Sequence, residues 1–463
     1  MTHRHSPERP RPSGIAGRIW RSLVRGPVVP RDDRERKWVT FNHFVLHFRP
    51  IRVPAATLRY THTFGLGGMS LLLVLLLMGT GVLLMFAYEP APGDAYESVR
   101  RLQEATIFGS FVRSVHHWSA NLLIVVVTLH LLRVFFTGAI HAPRQFNWVI
   151  GLALLAIVVA SNFTGYLLPW DQLSYWAITI STGMLEYVPV VGAALRRVVL
   201  GGESIGQATL IIFYALHTTV LPVLAVTLMG FHFWRVRKAR GVVVPRAPGE
   251  APDTQPEKVL GLPHLFLREF VVGLILVATV FLFSALVAAP LGEAANPGMS
   301  PNPAKAPWYF MGFQELLLHF HPLFAVVLLP AACALSLAAV AYLEYDEDPS
   351  GIWFASERGR TLAKAAAVAS LAFVAFLVVL DEWVLDLPAL LPWLPDVVSN
   401  GVFPVGVLSL GLWIAYRWLR TTGSATKSEA VQTMFVFLSV AFLVLTFVGV
   451  WFRGPGMSLT WAG

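Results

Sequence analysis

The 463-residue chain contains one cysteine, Cys333. A single thiol excludes an internal disulfide, a cysteine-ligated iron–sulfur cluster and a CxxCH haem site within this chain. Charge is scarce too. Asp, Glu, Lys and Arg make up 13% of the residues, about half the share of an average soluble domain. No short apolar core precedes a cleavage site in the first 60 residues, so they read as a basic cytoplasmic arm rather than a cleaved signal peptide. A surface helix is expected near "WVTFNHFVLHF". The arm is basic, yet nothing in the chain points to nucleic-acid binding.

What the chain has instead is apolar length. Hydrophobic residues make up 56%. Nine stretches approach or exceed the roughly 20 residues that cross a bilayer. They lie near 65–88, 114–136, 147–168, 208–234, 269–290, 322–343, 362–381, 401–419 and 431–452. With the N-terminus in the cytoplasm, only Arg100, Arg101, Arg113, Arg196, Arg197, Lys305 and Arg453 fall on the outer side, of 35 Lys and Arg in all. That skew follows the positive-inside rule and puts the C-terminus outside. The net charge of +8 is therefore a matter of topology and lipid contact. A Pro- and Gly-rich linker, 238–263, separates four spans from five. The reading is an all-α polytopic membrane protein.

Histidines break the apolar pattern. "HHWSANLLIVVVTLH" on the second span places His116 and His130 14 residues apart, which returns the side chain to nearly the same helix face about 21 Å further on. "HTTVLPVLAVTLMGFH" on the fourth span places His217 and His232 15 apart. Side by side, two such helices offer two His–His pairs stacked across the membrane. A pair of neutral imidazoles can close both axial positions of a haem iron. A single membrane histidine is more often a helix–helix hydrogen bond or a proton-path residue, but one cause accounts for all four. Glycines keep a matching step: Gly67 and Gly81 on the first span, Gly151 and Gly165 on the third. Each lets a flat macrocycle approach the backbone. Arg113, Arg133 and Arg237 lie about one turn from a histidine and are candidates for haem propionates. Taken singly, each arginine reads equally as a positive-inside or snorkelling residue.

At these residues the sequence resembles cytochrome b of the quinol-oxidising bc and b/f complexes, over most of 60–385. "VRSVHHWSA", "TGYLLPWDQLSYWA" and "FYALHTTVLP" are similar to the short photosynthetic form. The part after the linker resembles that complex's separate subunit four, here fused to the first half. The resemblance implies a four-helix dihaem bundle followed by about five further transmembrane helices. The divisions expected are a basic arm (1–60), a dihaem domain (61–240), a subunit-four-like domain (241–385) and extra C-terminal helices (386–463). It implies two non-covalent b-type haems, an outer one on His116 and His217 and an inner one on His130 and His232. His117 is the rival to His116, which is preferred because "RSVH" keeps the family register.

It further implies quinol oxidation at the outer face. One electron goes to a Rieske iron–sulfur partner and on to a cytochrome c-type subunit or soluble acceptor. The other crosses to an inner quinone site. A homodimer within a larger complex, surrounded by lipid in a bacterial-type inner membrane, is also implied.

Three departures qualify this. Where the photosynthetic form has the cysteine that tethers a covalent c-type haem, this chain has Gly65, so no third haem is expected. An inner quinone pocket would take that place, with Arg268 and Glu269 as candidates; a charged helix start is the equal alternative. Second, the family's outer site carries Pro-Glu-Trp-Tyr. Here "KAPWYFMGFQELLLH" keeps Trp308 and Tyr309 but has Pro307 in place of the glutamate. Proline accepts no proton, so another group must. Glu315, at the start of the next span, is the first candidate and Asp171 of "LPWDQ" the second; the alternative for Glu315 is a helix-end charge facing water. Third, the last two spans (about 401–452) exceed the three of subunit four, one more than the respiratory form adds there; they carry no evident ligands and are expected to pack against lipid or a partner subunit. Two rival functions are a dihaem b-type anchor of a non-bifurcating oxidoreductase and, from another class, a haem-free transporter.

Overall fold

The computed structural model describes residues 30–42, 50–251 and 255–460. Most of the expected basic arm and of the helix near 38–48 lies outside these; the helix described there is Asp33–Asn42.

Among the described residues, nine helices are long and apolar enough to cross a membrane. They are Leu66–Met85, Gly109–Phe136, Gln145–Leu167, Gln207–Lys238, Gly261–Leu286, Leu323–Tyr342, Glu357–Trp383, Val398–Arg420 and Lys427–Trp451, the first to ninth spans. In hydrocarbon every backbone N–H and C=O must be satisfied within the segment, which leaves long apolar runs the helix. Leu282, Phe270 and Leu335 are among many large apolar side chains left exposed, as a lipid-facing surface requires. The second span is the central one. Of its apolar window 39% is buried, against 6 to 22% for the others. It packs on the first and fifth spans through Leu73, Val115, Leu123, Val126, Leu276 and Val280. The third and fourth spans pack together, and the seventh packs on the ninth, where Ser370 Oγ donates to Phe437 O at 2.7 Å.

Alternate loops gather at opposite ends. At one end Gly351 N donates to Thr137 O at 2.8 Å and the linker pairs back on the chain, with Arg52–Pro54 antiparallel to Lys258–Leu260. The other end carries the longer loops. There Gln172 N donates to Glu293 O and His321 N to Asn400 O, both at 2.8 Å.

Three spans carry a π turn, within the fourth at Leu216–Val220 and at the start of the sixth and eighth at Leu323–Leu328 and Val398–Val402. Pro222, Pro330 and Pro404 follow, one after each turn. A proline ring clashes with the carbonyl one turn back and donates nothing to it, and a widened turn relieves both.

Two boundaries differ from expectation. The fifth span starts at Gly261, so Arg268 and Glu269 lie within it rather than at its start. Glu315 is not on the sixth span. It sits on a separate helix, Met311–His319, which ends in the extended residue Phe320 before the span begins.

Candidate functional site

The second and fourth spans bring His116 and His217 together, edge to face. Their ring centroids are 6.1 Å apart with planes at 70°. Each Nδ1 is committed. Thr80 Oγ1 spends its proton on Leu76 O at 2.7 Å, so it accepts from His116 Nδ1 at 3.0 Å. Ser161 O can only accept, so His217 Nδ1 donates to it at 2.9 Å. Both rings therefore hold the tautomer with a bare Nε2. Two lone pairs from facing buried rings are unfavourable unless a Lewis acid lies between them. Two metal–imidazole bonds of about 2 Å each, plus the ring radii, span roughly 6 Å. The pair fits an axially ligated metal. His117 turns elsewhere and packs edge-on against Trp118 at 4.7 Å.

His130 and His232 form the second pair and are electrostatic neighbours. His232 Nδ1 is buried and just misses a hydrogen bond to the Asn147 backbone.

Every glycine of the fourfold set faces one of these rings. A Cβ added at Gly67 would stand 3.4 Å from His130 Cε1, and one at Gly81 would stand 3.4 Å from His116 Cε1. At Gly151 it would be 3.8 Å from His232 Cε1, an ordinary contact, but at Gly165 only 2.4 Å from His217 Cε1. The sterics thus demand glycine at 165 and merely favour it at 67 and 81. Gly65 has its own reason. Its φ is +67°, and a Cβ would meet Val272 Cγ1 at 3.2 Å.

The arginines are engaged with protein. Arg113 donates to Ala289 O and Pro290 O at 2.7 Å and to Gln103 Oε1 at 3.0 Å, which anchors the loop after the fifth span. Arg133 Nε donates to His62 O at 2.8 Å, and its Nη2 lies 2.9 Å from His62 Nε2. Burial first, and then Arg133, push the His62 pKa down to about 4. Arg268 Nη1 donates to Leu58 O at 2.5 Å. Arg237 and Glu269 have partners as well.

At the loop-rich end, Trp308–Phe310 forms one 3-10 turn that runs into the helix Met311–His319. Trp308 Nε1 donates to Asn121 Oδ1 at 2.7 Å, which ties this loop to the second span. Burial, and then Tyr166, raise the Tyr309 phenol above its usual pKa. Asp171 caps the helix Gln172–Gly183: Oδ1 accepts from Ser174 N at 2.9 Å and Oδ2 from Gly292 N at 3.1 Å. Both of its oxygens serve backbone amides. A recess of about 570 Å³ opens at the same end between Thr106–Phe111 and Ser284–Ala288. Tyr309, Glu315 and Asp171 do not line it.

Glu315 does not face water. It is wholly buried and paired with Arg453, itself 1% exposed, at 2.5 Å. Arg453 Nη1 donates to Glu382 Oε2 at 2.6 Å. On the other side Glu315 Oε1 lies 3.2 Å from His319 Nε2, and His319 Nδ1 lies 2.6 Å from Asp381 Oδ2. Burial disfavours the Glu315 carboxylate, but bonds from His319 and Arg453 outweigh it and hold the pKa below the usual range. For His319, burial is likewise outweighed by Asp381 and Glu315, which raise it to about 9. Sequence reasoning missed His319, Asp381, Glu382 and Arg453. The available signal was four ionisable residues at helix ends in a charge-poor half.

A polytopic helical bundle that buries facing imidazoles on two neighbouring spans defines a haem-binding membrane protein of the electron-transport class. The comparisons make this specific: the chain belongs to the cytochrome b/b6 family. The family described as "Cytochrome b/b6/petB" matches residues 53–240. A cytochrome b6 of Synechococcus elongatus is 44% identical over 173 residues, which are 37% of this chain and 80% of that one. The cytochrome b6 of Bigelowiella natans gives the same figures. A structure described as "Hyperthermophilic respiratory Complex III" is alike in fold, with a TM-score of 0.63 at 22% identity, covering 89% of this chain and 98% of that one. Family membership implies b-type haem, the group that the paired histidines fit.

Proposed function

We propose that this chain is the cytochrome b subunit of a membrane quinol-oxidising complex and holds two non-covalent b-type haems. The observation that carries the reading is the pair His116 and His217, facing each other with both Nδ1 atoms committed. In this reading they hold an outer haem, and His130 and His232 hold an inner one. A haem closed by two imidazoles carries one electron at a time and offers no position to oxygen.

The protein groups do the rest. Gly165 keeps the third span clear of the ligand, with Gly67, Gly81 and Gly151 in the corresponding places. Arg133 and Arg237 bring positive charge to the inner haem, while Arg113 serves by holding the 289–290 loop. Quinol binds at the outer face beside Trp308 and Tyr309 and loses two protons and two electrons. Glu315 takes a proton in place of the glutamate missing at Pro307. It is preferred to Asp171 because its contact with His319 gives an accepted proton a way onward, whereas both oxygens of Asp171 serve backbone amides. The first electron leaves to a Rieske iron–sulfur partner and on to a cytochrome c-type or soluble acceptor. The second crosses to an inner quinone site at Arg268 and Glu269, completing a Q cycle. The N-terminus lies in the cytoplasm of a bacterial-type cell, and the complex is a homodimer. Residues 61–240 form the dihaem domain, 241–385 the quinol-site domain and 386–463 the extra helices.

A haem count on the purified chain tests this directly. Two b haems per chain by pyridine haemochrome, with no covalent haem on a denaturing gel, are expected. One haem would remove one histidine pair from the reading, a covalent haem would overturn the inference from Gly65, and none would overturn the proposal.

A further inference from the structure

Five ionisable side chains meet at the loop-rich end, drawn from three places far apart in sequence. Glu315 and His319 come from the helix Met311–His319, Asp381 and Glu382 from the end of the seventh span, and Arg453 from just after the ninth. A further pair close to Met311–His319, His321 with Asp396 at 3.8 Å, is separate. Only part of the cluster is linear. Glu315, His319 and Asp381 form an unbroken file of hydrogen bonds of 3.2 and 2.6 Å. Side-chain exposure along it rises from 0 to 9 to 34%. An imidazolium held between a sealed carboxylate and a wetted one can release a proton to the wetted side and be reloaded from the sealed side.

We propose that Glu315, His319 and Asp381 form a proton exit path from the quinol site to the outer aqueous surface, with Arg453 and Glu382 as its fixed walls. This rests on the quinol-oxidising reading above.

Charge supports the direction of transfer. Three carboxylates against Arg453 and a protonated His319 leave the cluster one negative charge. It therefore accepts one proton and becomes neutral, never positive. The proton arriving at Glu315 loosens its pairing, His319 passes its Nδ1 proton to Asp381, and Asp381 releases it to water. The neutral ring, which still carries its Nε2 proton, then turns over, presents its bare Nδ1 to Glu315 and takes the proton there, restoring the imidazolium. Each cycle ends with every group as it began, and no electron moves within the cluster. The C-terminal spans gain a role here. Arg453, which they deliver, holds Glu315 ionised and ready between turnovers.

The test uses the complex in native membranes, with a short-chain quinol as reductant and b-haem reduction as readout. His319→Gln and Asp381→Asn are each expected to slow reduction by about tenfold or more, with haem content unchanged and the pH profile altered. Added formate or imidazole is expected to restore the Asp381→Asn rate in proportion to its concentration, because the blocked end is open to water. Rates equal to the parent in both variants would overturn the path. So would slowing accompanied by haem loss, or slowing without rescue, since a structural role predicts those. If the parent complex itself does not reduce its haems with quinol, the quinol reading fails and the path with it. An active parent with unaffected variants sinks the path alone.

Discussion

Gly165→Ala is the sharpest perturbation of the histidine pairs, because its twin, Gly151→Ala, is a matched control. The new methyl at 165 would lie 2.4 Å from His217 Cε1, 2.9 Å from Nδ1 and 3.1 Å from Nε2. Carbon atoms rest at about 3.5–4.0 Å, so the ring must retreat by about 1 Å. It cannot retreat freely, because Nδ1 is tied to Ser161 O at 2.9 Å. Overpacking of this kind costs about 1–3 kcal/mol and a lost hydrogen bond about 1 kcal/mol more. A total of about 2–4 kcal/mol lowers haem affinity roughly 30- to 1,000-fold. At Gly151 the same methyl meets His232 Cε1 at 3.8 Å, an ordinary contact, and affinity is unchanged. The assay is the haem-to-protein ratio after purification, with the absorbance bands of the two haems resolved by redox titration. The expected result is loss of the outer haem in Gly165→Ala and both haems retained in Gly151→Ala. Equal loss in the two variants, or none in either, would refute the reasoning from ring contact.

Two further predictions concern the ion cluster. Arg453→Met strands Glu315 without its partner and is expected to destabilise the detergent-solubilised protein by about 3–5 kcal/mol, whereas Glu315→Gln combined with Arg453→Met recovers most of that loss, since removing both charges is nearly neutral; thermal unfolding of these two variants and of Glu315→Gln alone checks this, and additive losses would refute it. His319, raised to about 9 by its carboxylates, contributes stability that is full below about 6.5 and fades as pH rises through about 9. Thermal stability should therefore fall on the alkaline side, and His319→Gln should flatten that limb.

Much of the site was legible because its signals are local. A histidine in an apolar helix is costly, and a step of 14 or 15 residues needs only the helical repeat to become a stack. The glycine steps were legible for the same reason. What they face was not: the contact of Gly165 with His217 depends on how the third and fourth spans rotate against each other. The span count followed from hydropathy, while the start of the fifth span did not, because Pro263 reads as a stop and is carried through one non-helical residue, Leu262. Glu315 could be singled out from a missing glutamate eight residues earlier. Its burial could not, since its partner Arg453 is 138 residues away on a segment with no ligand signature.

The cluster around Glu315 also bears on what the last spans are for. A chain with 13% charged residues has concentrated five ionisable groups in one place, two of them almost fully buried. Stability does not account for this, because apolar residues of similar volume fill such a site as well or better. Anchoring the helix Met311–His319 needs one contact, and packing on the ninth span through Gly312 and Gly449 supplies it. Neither role requires a histidine bonded at both nitrogens, nor a carboxylate at the wetted end. Those two features are what proton transfer requires. The histidine lies ten residues beyond Tyr309, on the helix that continues the loop where Pro307 stands in place of the family's glutamate, and the wetted carboxylate, Asp381, is brought to it by the end of the seventh span.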